Sequence, residues 1–253
     1  MDILQYDGSF EGLLTAVFDV YEYKFKNPLI FKAGESSGSL FGTTHIVHSC
    51  KEKSERVWNK LDMKLSKNSL KQVYKTFLSE LKDIENTLLR YIQYVIASKY
   101  NIENDYAHPD VLMVQQTSKK VDREKHRMEA FVRFQCTIDQ LYYSIIQPDF
   151  NVLPLISDHF EKRYADQRWL IYDSLRKMGL YYNLQNVQEV SMKFDTDLNN
   201  SEALKEIFDE KEELYQTLWQ QYFKSVNIQA RKNLKLHIQH MPKRYWKNLV
   251  EKK

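Results

Sequence analysis

An α+β fold, long amphipathic helices packed on a small antiparallel sheet, is predicted by three observations. Apolar residues recur at three- and four-residue steps near both ends of the chain, the middle alternates apolar and polar residues with a period of two, and only six Gly and five Pro interrupt 253 residues. The length suits one sizeable core. The chain is therefore read as a single domain, 1–253, with a strand–helix–strand part at 1–60 and a part at 105–253 that carries the distinctive motifs.

The elements follow in order. Ile3–Tyr6 reads as a short strand, and Asp7-Gly8-Ser9 as a turn whose Ser9 caps a helix over 10–23, with Phe10, Leu13, Leu14, Val17, Phe18 and Tyr21 on one stripe. Strands are expected at Leu29–Lys32 and Phe41–Val47, around a Gly34–Gly38 loop. The spacing of Leu70, Val73, Phe77, Leu81, Ile84, Leu88, Tyr91 and Val95 predicts one long helix over 69–98. His108-Pro109-Asp110 opens another. Ala130–Gln135 and Leu141–Ile146 read as a hairpin, 151–164 as a helix, and Trp169–Asp173 with Gly179–Asn183 as a second hairpin, extended by Gln188–Phe194. Helices at 201–224 and 233–240 complete the pattern, and Pro242 stops the last.

Composition narrows the function classes. Thirty-seven basic against 34 acidic side chains give a formal net charge of +3, so attraction to phosphate has to come from local clusters. Two cysteines, Cys50 and Cys136, do not make a disulfide framework or a Cys-rich metal site. With no leader-like start and no apolar run long enough to span a bilayer, a cytoplasmic protein without membrane contact is expected. P-loop, dinucleotide, nucleophile-elbow and zinc-deaminase signatures are absent from the sequence. His237 and His240 share a helix face but lack a third ligand, so no metal and no cofactor is expected.

Three constellations remain. Arg123, Lys125, His126, Arg127 and Arg133 crowd the turn from helix to hairpin beside Phe131 and Phe134, as phosphate contacts or as a solvated face paired with Asp122, Glu124 and Glu129. Arg133 alternates with Val132 and Phe134 and is expected on the opposite sheet face. Arg163 and the run Arg168-Trp169-Leu170-Ile171-Tyr172-Asp173 read either as a pocket at Trp169 and Asp173 or as a structural ion pair at a sheet edge. Arg231, Lys243, Arg244, Tyr245 and Trp246 interleave cations and rings in a way that suits nucleic acid, or a tail docking its aromatics into the core.

The blocks Lys125-His126-Arg127-Met128 with Phe131-Val132-Arg133-Phe134, Leu141-Tyr142-Tyr143, Pro148-Asp149-Phe150, His159-Phe160-Glu161-Lys162-Arg163, Trp169–Asp173, Arg231-Lys232-Asn233 and Met241–Trp246 resemble a bacterial family described as probable DNA metabolism or putative DNA repair proteins, domain-of-unknown-function family 4130. The resemblance implies a neighbouring radical S-adenosylmethionine DNA repair protein and, in some relatives, fusion to a uracil-DNA glycosylase domain. It supplies no catalytic residues. This sequence lacks the cysteines of a radical enzyme or of an iron–sulfur glycosylase, so cluster chemistry is expected on the partner.

Three functions compete on these grounds. The first is an accessory factor in DNA repair or modification that binds DNA and positions it for the radical enzyme. The second is a protein-interaction subunit anchored by Tyr245 and Trp246 without direct DNA contact. The third is a base-processing enzyme related to the glycosylase-fused members, with Asp173 or His126 as the acid–base group.

Overall fold

The computed structural model describes residues 2–34, 43–138, 140–191 and 234–252. They form an α+β protein in two compact units, Met1–Asp122 and Arg123–Lys253. The expected helix over 201–224 and Arg231 lie outside the described residues.

In the first unit, β1 (Asp2–Tyr6) is the middle strand of a three-stranded sheet, flanked by β2 (Pro28–Lys32) and β3 (Thr43–Ile46), with both pairings parallel. Ile3, Leu4 and Tyr6 are all buried, which fits a central parallel strand covered on both faces. Helix α1 (Phe10–Glu22) makes the crossover from β1 to β2. Ser9 starts it by accepting the Gly12 N–H on its hydroxyl at 2.9 Å. Leu13, Leu14, Val17 and Val20 bury its inner face, and α2 (Lys51–Asp62), α3 (Lys67–Phe77) and α4 (Ile84–Ala97) complete the core with Val57, Leu61, Leu70, Val73, Leu88 and Ile92.

The single long helix expected over 69–98 is two helices. Its apolar spacing continues through Leu78, Leu81 and Ile84, but the backbone turns left-handed at Glu80 (φ 50°) and Asp83 (φ 65°). The break delivers Asn86 to the outer edge of β2. There its carboxamide accepts the Ile30 N–H at 2.8 Å and donates to the Ile30 carbonyl at 3.2 Å, supplying what a further strand would supply.

In the second unit the sheet runs β4 (Gln135–Cys136), β5 (Tyr142–Ile146), β6 (Trp169–Asp173), β7 (Met178–Tyr182), β8 (Val187–Ser191). It is mixed rather than antiparallel throughout. Helix α6 (Leu153–Arg163) carries the chain back so that β6 joins β5 in parallel, whereas β6, β7 and β8 form the expected antiparallel run. Every residue of β6 is buried. Gly179 lets β7 approach closely, since a Cβ there would lie 2.9 Å from the Ile171 carbonyl oxygen.

The first hairpin is shorter than its alternation implies. Helix α5 (Pro109–Phe131) runs on into that stretch, and the Val132 N–H still bonds the Met128 carbonyl at 3.1 Å, so the strand is only Gln135–Cys136. Met128 and Val132, four residues apart and both buried, satisfy a helical period as well as an alternating one.

Asn86→Leu keeps the volume but orphans both Ile30 backbone groups. The expected cost is about 1–3 kcal/mol for each group, read as a lowered urea midpoint; an unchanged midpoint would show that water or a shifted strand replaces the carboxamide.

Candidate nucleic-acid interface

Glu124 organises the second half of α5. It stands three residues after buried Val121 and four before buried Met128, so the helical period turns it inward with them, and it is 1% exposed. A buried carboxylate has to be fully hydrogen-bonded or neutralised. Here the Tyr245 hydroxyl lies 2.6 and 2.5 Å from its two oxygens, the Asp149 N–H donates at 2.9 Å, and the Arg244 guanidinium donates at 3.1 Å. Arg127 adds an ion pair at 3.6 Å from the following turn of the same element.

These bonds fix the C-terminal segment. Tyr245 is buried in the 3-10 turn Lys243–Asn248, packed on Phe131 with ring centroids 5.6 Å apart. The Arg244 guanidinium lies over the Tyr245 ring and also reaches Asp149 at 2.7 Å. Burial, then the hydrogen bond and charge of Glu124, push the Tyr245 phenol far above its ordinary value, against the opposing Arg244. It therefore donates to Glu124 at every physiological pH.

Arg133 holds the next layer. It does not sit on a sheet face; it follows the end of α5, where its guanidinium donates to the Ala130 and Val132 carbonyls at 2.7 and 3.2 Å and to Glu251 at 2.9 Å. A cation on the last carbonyls of a helix complements its dipole. The Glu251 side chain is itself 1% exposed, in the 3-10 turn Val250–Lys252. Lys125 pairs with Glu129 at 3.3 Å, and His126 and His159 approach the same carboxylate at 3.9 and 4.0 Å.

The remaining expected residues divide. Arg123 and Arg163 are exposed, and neither has a hydrogen bond or ion pair among the described residues. Trp246 is half-buried, donates its indole N–H to the Met241 carbonyl at 3.0 Å, and has the Lys252 and Lys243 ammonium groups 4.9 and 6.0 Å from its ring. Trp169 and Asp173 do not line an open pocket. Trp169 is fully buried against Phe134, Phe160 and Tyr182, and Asp173, equally buried, accepts the Leu175 N–H at 2.9 Å and pairs with Arg176 at 2.8 Å to build the β6–β7 turn. Both Asp173 oxygens are committed to structure.

The structure thus gathers Arg127, Arg133, Arg244, Tyr245 and, beside them in the chain, Lys243 and Trp246. Glu124 and Glu251 were not singled out as the anchors from the sequence; the position of Glu124 on the apolar stripe of α5 was the available signal. Among the described residues no cluster of His, Cys, Asp or Glu is placed to hold a metal ion, and no helix is long and apolar enough to cross a membrane.

Residues 82–251 match the family described as a domain of unknown function, DUF4130. The chain belongs to that family. No curated protein matches it. Among solved structures it is similar to a pGpG-specific phosphodiesterase, PggH from Vibrio cholerae, with 11% sequence identity, coverage of 89% of this chain and 99% of that one, and a TM-score of 0.31.

Because the folded-state value of the Tyr245 phenol lies above the unfolded one, its bond to Glu124 contributes fully below the ordinary phenol value of about 10 and is lost only as pH rises through the raised value. The difference between alkaline absorbance titrations of the protein and of Tyr245→Phe should show one phenol ionising well above that ordinary value. A difference curve centred near it would contradict the buried pairing.

Proposed function

We propose that the unit Arg123–Lys253 binds nucleic acid through this cationic surface, and that the protein is an accessory factor in bacterial DNA repair or modification. What supports the binding reading is the asymmetry of the ion pairs. Segments 123–134 and 241–252 carry Arg123, Lys125, Arg127, Arg133, Lys243, Arg244, Lys247 and Lys252 against Glu124, Glu129 and Glu251, eight cations to three acids. Asp149 adds a fourth acid from the loop before α6.

Depth separates the two signs. The Glu124 and Glu251 side chains are 1% exposed, while the Arg244, Arg127 and Arg133 side chains that pair with them are 42%, 27% and 24% exposed; Asp149, the second acid on Arg244, is the exception at 49%. The acids hold their partners from within, and the exposed parts of the Arg127 and Arg244 guanidinium groups can meet phosphate oxygens, whereas the Arg133 fork is spent on Glu251 and two helix-end carbonyls. Internal pairing therefore orients the guanidinium groups and leaves an excess of positive charge outside. A protein with a net charge of only +3 gains local attraction to phosphate in this way.

The repair setting and the radical S-adenosylmethionine partner rest on the family resemblance alone. In that setting the protein holds DNA while cluster chemistry takes place on the partner, and the committed oxygens of Asp173 weigh against the base-processing alternative.

Anisotropy titrations of a labelled oligonucleotide over a salt series test the binding. Affinity should fall steeply, by roughly a thousandfold between about 50 and 200 mM salt for a surface engaging about six phosphates. Arg123→Ala should weaken binding and lower the log–log salt slope by about one without changing the melting temperature. Absence of binding at low salt, or an affinity indifferent to salt, would overturn the reading.

A further inference from the structure

A groove of about 610 Å³ lies among α1, α2 and α3 in the first unit, on residues that precede the family match. Its floor is apolar, made of Leu14, Leu70 and three rings. Phe10 stands edge-on to Trp58 at 5.6 Å and 82°, and to Tyr74 at 5.1 Å and 71°. The walls differ in charge. Helix α2 contributes Glu55, Asn59 and Asp62, at steps of four and three, and α3 contributes Lys67 and Lys71, four apart.

Lys67 reaches across to Asp62 at 2.6 Å. Glu55 has only a loose, exposed contact with Lys51 at 3.8 Å, and Lys71 has no hydrogen bond or ion pair among the described residues. The groove is thus flanked by an acidic group on one wall and a basic group on the other. Each wall, 55–62 on α2 and 67–74 on α3, spans seven residue steps, about 10 Å or two helical turns. The volume is about twenty times the roughly 30 Å³ share of one water, room for several apolar side chains and far more than a single ion fills.

We propose that this groove docks an amphipathic helix of a partner protein, two turns of which lay apolar side chains on Trp58, Phe10 and Tyr74. Its basic flank faces α2 and its acidic flank faces α3. Laying an apolar helical face into such a groove is a recurrent mode of recognition, read as anchors at i, i+3, i+4 and i+7. A nucleic-acid strand fits less well, because its phosphates would meet the loosely paired Glu55 carboxylate on the α2 wall.

Three synthetic helical peptides with one apolar face test this: lysine on one flank and glutamate on the other, glutamate on both, and lysine on both. Binding is followed by tryptophan emission, with Trp58→Phe identifying the signal from the groove. The mixed peptide should bind about three- to tenfold more tightly than either uniform peptide, the scale that exposed ion pairs set. Glu55→Lys and the double variant Glu55→Lys/Asp62→Lys, checked for folding by circular dichroism, should shift the preference toward the all-glutamate peptide. No binding, equal binding of all three, a preference unmoved by charge reversal, or a Trp58 response to single-stranded DNA instead of the peptides would each overturn the proposal.

Discussion

The withdrawal of one carboxylate from water governs the second unit. A buried carboxylate at Glu124 on the inner stripe of α5 would cost several kcal/mol without partners, and the partners it takes come from three places in the sequence, two of them distant: the loop before α6 through the Asp149 N–H, the following turn of α5 through Arg127, and the C-terminal 3-10 turn through Arg244 and Tyr245. Loss of any one leaves the others around an under-satisfied charge. The position of the C-terminal turn, and with it Lys243, Trp246 and Glu251, follows from that requirement.

The same logic ties stability to the proposed surface. Arg244 and Arg133 are held by their acids on the inner side and meet solvent on the outer side, so the groups that anchor the chain end also present charge. A guanidinium is suited to this double use, because its planar fork offers several N–H donors in fixed directions. Lysine in either place would provide charge without the second set of directed bonds.

Much of the local structure was legible in the sequence. The Ser9 cap, the stripe Leu13, Leu14 and Val17, the start of α5 at Pro109, the strand at 169–173 and, one residue out of place, the strand expected at 179–183 and found at 178–182 follow from spacing and from punctuation by Ser, Pro and Gly. The break between α3 and α4 was hidden because the apolar period runs through it, and its reason, the bond from Asn86 to Ile30, spans 56 residues. Parallel pairing of β5 with β6 was likewise non-local, set by the path of α6. At the candidate site the cations stood out, and the i, i+3 and i, i+4 pairs Glu124–Arg127 and Lys125–Glu129 could be read from spacing. The pairs Arg133–Glu251 and Arg244–Glu124, separated by 118 and 120 residues, could not.

The central claim is that Glu124 and Tyr245 act as one coupled pair locking the chain end. A double-mutant cycle on unfolding free energy with Glu124→Gln, Tyr245→Phe and the double variant measures that coupling directly. A coupling energy of about 1–3 kcal/mol is predicted, with the double variant less destabilised than the sum of the single ones. Strictly additive effects would contradict it.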